Sequence, residues 1–250
     1  MKPSLIKSNK SVIFKFSILF LFAVAMGFLE AAVVSYLRIL FYSKDFYLSL
    51  AGSIFNSAFT IEIVREFSTL VMLVTVPVLA GRKFIEGFSY FLFIFAVWDI
   101  FYYVFLKIII NWPSSFLEWD VLFLIPLPWL APVLSPLICT VIMIFLSVTL
   151  FYFSNKYISF DNLSKTEWLL IAAGSVFIIF SFIWDYTGIV IKNFHSIIAG
   201  KNLQELSESF VPKIFHWEIF GIGIIILILT IILIFRRARL FYRDKIENKK

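Results

Sequence analysis

The feature that most constrains this chain is a series of apolar stretches, each long enough to cross a lipid bilayer as a helix. A spanning helix needs about 20 apolar residues. The predicted spans are 14–36, 57–80, 86–108, 137–154, 167–191 and 217–235. Hydrophobic residues make up 61% of the chain and charged residues 15%, whereas a soluble domain is about half apolar and a quarter charged. The sequence therefore predicts an all-α integral membrane protein, with residues 1–250 forming one polytopic membrane domain.

The amino terminus combines a basic start with an apolar stretch and a small-residue site at Ala23-Val24-Ala25, as a signal peptide does. The apolar pattern nevertheless continues through "FLEAAVVSYL". Cleavage would leave a remnant too short to span the bilayer. We therefore interpret this region as an uncleaved first helix.

Lysine and arginine concentrate in alternate loops, which predicts the orientation of the spans. They are most frequent at the amino terminus, at 81–85, at 155–166 and in the tail "RRARLFYRDKIENKK". The positive-inside rule places these segments in the cytoplasm. The prediction is a plasma-membrane protein with a cytoplasmic amino terminus (1–13) and a basic cytoplasmic tail (236–250). The tail is expected to contact anionic lipid headgroups, and this location of the charge argues against nucleic-acid binding.

A proline-rich segment interrupts the pattern before the fourth span. Residues 121–153 are apolar throughout, but the first half of this stretch contains Pro126, Pro128, Pro132 and Pro136. Proline lacks an amide proton and disfavours helix at the preceding residue. We predict a re-entrant or interfacial segment over about 120–136. A tilted helix kinked at the prolines is the alternative.

Ionisable side chains within or beside the spans are predicted to share one level of the membrane. Apart from the basic cytoplasmic anchors, all of them are assigned to the outer halves of the spans, and none to the inner halves. Charges at membrane depth are costly and usually face a cavity or a partner. We therefore expect a polar cavity near the extracytoplasmic side. Its candidate lining residues are Glu30, Glu62, Arg65, Glu66, Asp99, Tyr102, Tyr103, Asp120, Asp185, His216 and Glu218.

Helical spacing groups several of these candidates on common faces. Glu62, Arg65, Glu66 and Thr69 recur at i, i+3, i+4 and i+7, so they form one stripe in which Arg65 can pair with either glutamate. In the third span the phenols of Tyr102 and Tyr103 are expected to donate to Asp99.

Small residues form a further face on the first span. Ala23, Gly27 and Ala31 recur every four residues. This spacing predicts close packing of the first span against another helix.

Three functions are compatible with this pattern. Clustered carboxylates favour proton or cation handling, or small-solute transport, because they cannot all stay ionised in a low dielectric. An intramembrane enzyme acting on a lipid or isoprenoid substrate is the first alternative. A structural or assembly subunit is the second. Convergence of Glu30, Arg65, Asp99 and Asp185 on one cavity is the structural test of the first two.

The same residues limit the cofactors. The chain has two histidines and one cysteine, with no HExxH or Glu-x-x-His motif, so there is no haem, zinc or iron–sulfur signature. The cofactor stays unknown. Whether the chain is a homo-oligomer or has a partner in a membrane complex also stays open.

Overall fold

Six long helices and one short hairpin form the fold. The computed structural model describes residues 9–41, 57–156, 163–192 and 214–247. The elements are α1 (Asn9–Phe41), α2 (Ser57–Ala80), α3 (Phe84–Ile110), β1 (Trp119–Phe123), β2 (Trp129–Pro132), α4 (Leu134–Lys156), α5 (Lys165–Lys192) and α6 (Trp217–Glu247). Each helix contains a segment long and apolar enough to cross a membrane. Six predicted spans therefore correspond to six helices, although residues 1–8 of the predicted amino-terminal segment and 248–250 of the tail lie outside the described residues.

Consecutive helices run in opposite directions, as contacts at the two ends of the bundle indicate. Lys15, early in α1, donates to the carbonyl of Ala80 at the end of α2, with an Nζ–O distance of 2.8 Å. Glu30, late in α1, accepts a hydrogen bond from Arg65, early in α2. The hairpin lies at the end of the bundle that contains Glu30. We call this the hairpin end and the other the opposite end.

The small-residue face of α1 packs against α3. Ala23 and Ala31 are fully buried. A Cβ added to Gly27 would lie 2.9 Å from the carbonyl oxygen of Trp98 and 3.1 Å from the Cβ of Phe101. Only a residue without a side chain allows this approach, so the predicted close packing is confirmed and α3 is its partner.

The proline-rich segment forms a β-hairpin. Trp119 pairs with Pro132 and Val121 with Leu130 in an antiparallel register, with an irregularity between Val121 and Phe123. The predicted architecture of six long helices stands, and this two-stranded hairpin is an addition to it that the sequence did not predict. The kinked helix is excluded, since the segment is extended from Trp119 and helix begins only at Leu134. Pro132, which has no backbone N–H to donate, is the last residue of β2.

Acidic residues at the opposite end correct a prediction. No ionisable residue was predicted in the halves of the spans away from Glu30, but Glu86 and Glu167 lie at the opposite end and are 5% and 3% exposed. Glu86 accepts hydrogen bonds from the phenol of Tyr90 at 2.9 Å and the backbone N–H of Arg82 at 3.0 Å. Both acids lie in the first turn of a helix, where the helix dipole favours negative charge.

Glu167 also joins α5 to α6. Arg237 donates to it through Nε at 2.8 Å and Nη2 at 2.7 Å. Ser164 Oγ accepts the backbone N–H of Glu167, whose carboxylate in turn accepts the N–H of Ser164. This reciprocal arrangement is a capping box, and the sequence "SKTE" carries its signature.

Candidate functional site

A cavity of about 530 Å³ lies between the helices and beneath the hairpin. All six helices and the hairpin contribute to its lining. Eight of the sequence-predicted site residues line it together: Glu30, Glu62, Arg65, Glu66, Asp99, Tyr102, Tyr103 and Asp120. The hairpin and the carboxyl-terminal half of α3 thus bring residues from four distant parts of the sequence to one polar region.

The cavity is polar at one end and apolar at the other. Along α3 its lining extends from Phe88 to Tyr103, and the segment from Phe88 to Tyr102 covers about 21 Å at 1.5 Å per residue. The opposite end of the cavity is lined by Phe88, Phe91, Met143, Leu146, Trp168 and Ile171. Ser175 is the polar exception in that half. The shape suits a ligand with one polar and one apolar part.

Arg65 joins two helices through two carboxylates. Its Nε lies 2.9 Å from Glu62 Oε2 and its Nη2 lies 2.5 Å from Glu62 Oε1, a bidentate pair within one turn of α2. Its Nη1 donates to Glu30 on α1. Thr69 Oγ1, two turns along α2 from Glu62, donates to the other oxygen of Glu30 at 3.3 Å. The guanidinium is therefore already engaged by protein carboxylates.

Carboxylates also anchor the hairpin to the helices. The backbone N–H of Leu124, which follows β1, donates to Glu66 at 2.9 Å. Asp120, 1% exposed, accepts a hydrogen bond from the phenol of Tyr103 at 3.0 Å. Asp120 is also paired with Arg38 at 3.2 Å. Two of the cavity acids therefore hold the hairpin against α1, α2 and α3.

Arg38 is a site residue that the sequence argument missed. The first span was predicted to end at residue 36, which leaves Arg38 outside it. Helix α1 instead continues to Phe41, which places Arg38 two turns beyond Glu30 on nearly the same face. Its guanidinium lies 3.6 Å from the ring centroid of Trp112, a cation–π distance. The four-residue spacing of Glu30, Val34 and Arg38 is the signal that would have found it.

Asp99 differs from the other cavity acids. The expectation that Tyr102 and Tyr103 donate to it is wrong for both phenols. Tyr103 donates to Asp120, because the hairpin places that carboxylate opposite the phenol. The hydroxyl of Tyr102 makes no hydrogen bond to Asp99 or to any other described residue. Within the described part of the chain, the carboxylate of Asp99 likewise has no hydrogen-bond or ion-pair partner. It faces the cavity.

Asp185, His216 and Glu218 form a separate group that does not line this cavity. His216 Nδ1 lies 2.7 Å from Glu218 Oε1, and His216 Nε2 lies 3.8 Å from Asp185 Oδ1. The side chain of Glu218 is 70% exposed. The expected convergence of four charged residues therefore occurs for Glu30, Arg65 and Asp99 but not for Asp185, which lies beside His216 and is not part of the lining.

The donor set of the site is limited. Among the described residues, no three Asp, Glu, His or Cys side chains are placed to hold one metal ion. The carboxylates are spread over α1, α2, α3 and β1, and most of them already accept hydrogen bonds from protein groups.

Comparison of the chain with known protein families, curated proteins and solved structures finds no match. The fold and site define the class on their own. It is a helical protein whose six long apolar helices are suited to a membrane, with a carboxylate-rich cavity lined at one end by a β-hairpin.

Proposed function

We propose that this protein handles protons or cations in a membrane as part of small-solute transport. Asp99 is the carboxylate that takes up and releases the ion. The observation that carries the proposal is the position of Asp99, which faces the cavity without a protein partner among the described residues. Removing a carboxylate from water without a partner is costly unless it binds a proton or a cation.

The charge balance of the cavity supports the same role. Five carboxyl groups lie at its polar end: Glu30, Glu62, Glu66, Asp99 and Asp120. Two guanidinium groups accompany them in the described structure, those of Arg65 and Arg38, and each is paired with a carboxylate. An additional positive charge is therefore favoured at this end, and clustered carboxyl groups bind it as a unit.

Asp99 shares the cavity with other charged or titratable side chains. Titratable or charged side chains of α1, α2, α3, α4 and the hairpin line the cavity together with Asp99. They include Glu30, Arg65, Tyr102, Tyr103, Cys139 and Asp120. Because the carboxyl groups of Glu30 and Asp120 can carry negative charge close to Asp99, binding of a proton or cation at Asp99 relieves repulsion among the three acids.

The test is ion flux into proteoliposomes under an imposed membrane potential. Wild-type protein is expected to take up protons or Na⁺ faster than protein-free liposomes, and Asp99→Asn is expected to reduce this flux to background. Asp185→Asn is the matched control, because it removes an acid of the same type from outside the cavity. Flux by Asp99→Asn equal to that of wild type would overturn the proposal, as would the absence of H⁺, Na⁺ and K⁺ flux in the wild type.

An intramembrane enzyme acting on a lipid or isoprenoid substrate is the second candidate, because the apolar half of the cavity offers room for a hydrocarbon chain. Against it, Arg65 is already held by Glu62 and Glu30, which leaves a weak site for a lipid phosphate. A deletion strain separates the two functions. An enzyme requires a changed lipid profile that a copy with Asp99→Asn fails to restore, and transport requires an unchanged profile.

The proposed setting is the plasma membrane, with the hairpin end outside and the basic tail against anionic headgroups inside. Labelling with an impermeant maleimide tests the orientation in a Cys139→Ser background. Ser115→Cys, in the exposed loop before the hairpin, should react in intact cells. Arg82→Cys, at the opposite end, should react only after permeabilisation, and the reverse pattern would invert the topology.

A further inference from the structure

Polar groups without protein partners surround one part of the cavity. Among the described residues, the indole N–H groups of Trp98 and Trp129 have no hydrogen-bond acceptor. The hydroxyl of Tyr102 and the carboxylate of Asp99 also lack partners there. All four side chains line the cavity, and Trp98 and Tyr102 are only 4% and 9% exposed. Unmet polar groups are uncommon in protein interiors, and the acidic group among these four, the carboxylate of Asp99, is the one that a positively charged ligand satisfies.

The charges in this part of the cavity determine the sign of the charge that a ligand can carry. The carboxylate of Asp99 faces the cavity beside Glu30 and Asp120, and both nearby arginines are paired with carboxylates. A phosphate or carboxylate headgroup would therefore meet uncompensated negative charge. A positively charged group would meet the carboxylate of Asp99, and the aromatic side chains of Trp98 and Tyr102, a residue type that can attract cations, line the same part of the cavity.

The apolar half of the cavity defines the rest of the ligand. From Asp99 to Phe88 the lining residues are aromatic and aliphatic over about 16 Å of α3 at 1.5 Å per residue. A volume of about 530 Å³ is within the range of cavities that enclose molecules of drug-like size, roughly 300–1,000 Å³. A bare metal ion or proton makes no use of this space, whereas an organic cation with bulky apolar groups fills it.

We propose that the solute of this cavity is a lipophilic organic cation, with its charged centre at Asp99, Trp98 and Tyr102 and its apolar groups between α3, α4 and α5. The inference rests on the proposed function and specifies its substrate class. A proton bound at Asp99 competes with the cation for the same carboxylate, so binding of the cation displaces the proton.

The test is binding of radiolabelled tetraphenylphosphonium to the purified protein in lipid nanodiscs. Tetraphenylborate, of nearly the same shape and opposite charge, is the matched probe, and protein-free nanodiscs give the background. Wild type and Asp185→Asn are expected to bind the phosphonium saturably and to bind the borate no better than background does. Asp99→Asn is expected to lose affinity by about tenfold or more, whereas Asp99→Glu retains part of it.

A second variant tests the apolar half without touching the carboxylates. Ser175→Phe places a ring in the aliphatic part of the cavity and should weaken binding of the bulky cation, provided that the variant keeps the elution profile and helicity of the wild type. Proton flux through Asp99 should be less affected by this change, since a proton does not require the space.

The outcomes separate this inference from the proposed function. If flux depends on Asp99 but the phosphonium does not bind saturably, the ion function stands and the substrate class is wrong. If the phosphonium binds through Asp99 but no flux occurs, the ligand assignment stands and transport is wrong. Equal binding by Asp99→Asn, or equal binding of the borate, overturns the assignment of a cation site.

Discussion

Glu167 and Asp99 are both acids of long apolar helices, but the structure treats them in opposite ways. Glu167, 3% exposed, accepts two hydrogen bonds from Arg237 and one from the backbone of Ser164. Asp99 has no such partner among the described residues and faces the cavity. The protein thus supplies hydrogen-bond donors to the carboxylate of Glu167, whereas the carboxylate of Asp99 is accessible to a ligand in the cavity.

The two environments correspond to two roles for a buried carboxylate in a protein of this kind. A carboxylate that the protein itself satisfies specifies how helices pack, and losing its partner leaves a buried charge. A carboxylate that faces a cavity without a partner adds little to packing and is suited to bind something else. Hydropathy alone does not separate the two kinds, because each acid belongs to a helix that is long and apolar enough to cross a membrane.

The cavity contains both kinds of carboxylate close to Arg65. Arg65 lines the cavity, yet it is bound by Glu62 and Glu30 and joins α2 to α1. Its neighbour Asp99 is close enough to share the cavity but is not paired with it. Substitutions at Arg65, Glu167 and Glu118 therefore test how much carboxylates with protein partners stabilise the fold at three levels of burial.

The largest effect is expected for Arg65→Gln. This change leaves the carboxylates of Glu62 and Glu30 without their guanidinium, and breaking a buried pair from one side costs about 3–5 kcal/mol. The side chain of Arg65 is 20% exposed, so a loss near the lower limit is expected. Reversible unfolding in mixed micelles, followed by circular dichroism, measures it.

Two further variants serve as controls for the stability of Arg65→Gln. Arg82→Gln replaces an exposed arginine at the opposite end and should change stability by no more than about 0.5 kcal/mol. Asp99→Asn should be close to neutral, since no protein partner is lost in the described structure. A loss of stability in Asp99→Asn as large as that in Arg65→Gln would remove the distinction between the two kinds of acid.

A smaller effect is expected for Glu167→Gln. The substitution removes the charge that holds Arg237, and hydrogen bonds to charged groups contribute about 1.5–3 kcal/mol each. Because the side chain of Arg237 is 28% exposed and regains water, the net loss should be about 2 kcal/mol. Thermal unfolding checks the loss, and Glu218→Gln, at a 70% exposed side chain, is the control. Ion flux corrected for the folded fraction should stay unchanged, and its loss would show that opposite-end acids also serve function.

Local patterns were sufficient for much of the fold. The apolar stretches gave six helices, because burial in a membrane requires each span to satisfy its own backbone. The spacing of Glu62 and Arg65 predicted their pairing, and the spacing of Ala23 and Gly27 predicted a close helix contact. These features depend on residues within a few turns of each other.

Features that depend on distant residues were not predictable in the same way. Four prolines argue against helix, but they do not specify that Val121 pairs with Leu130. The hairpin determines that Tyr103 donates to Asp120 and not to Asp99, and the length of α1 determines that Arg38 reaches the same carboxylate. Asp185 could not be separated from the cavity without knowing which faces of α5 and α6 pack together.

The smallest expected effect concerns Glu118, a carboxylate outside the spans that is paired yet partly exposed. Burial raises the pKa of Glu118, but hydrogen bonds from the side chain and backbone of Ser114 and from Trp112 outweigh this effect and hold the pKa below its usual value of 4.5. A lowered folded-state pKa stabilises the fold above the unfolded-state value, and this contribution is lost as the pH falls through the folded-state value. Glu118→Gln should therefore cost about 1 kcal/mol at neutral pH and little at acidic pH.

Unfolding of wild type and Glu118→Gln between pH 7 and pH 3 measures this difference. The gap between the two proteins should close as the pH falls below 4.5, the usual value for the carboxyl group. Ser114→Ala, which removes the 2.7 Å hydroxyl donor but leaves the backbone N–H at 2.6 Å, should produce part of the same loss. A gap that persists unchanged at pH 3 would assign the loss to packing of the loop and not to the charge, and would place Glu118 outside the group of acids that the protein satisfies through their ionised form.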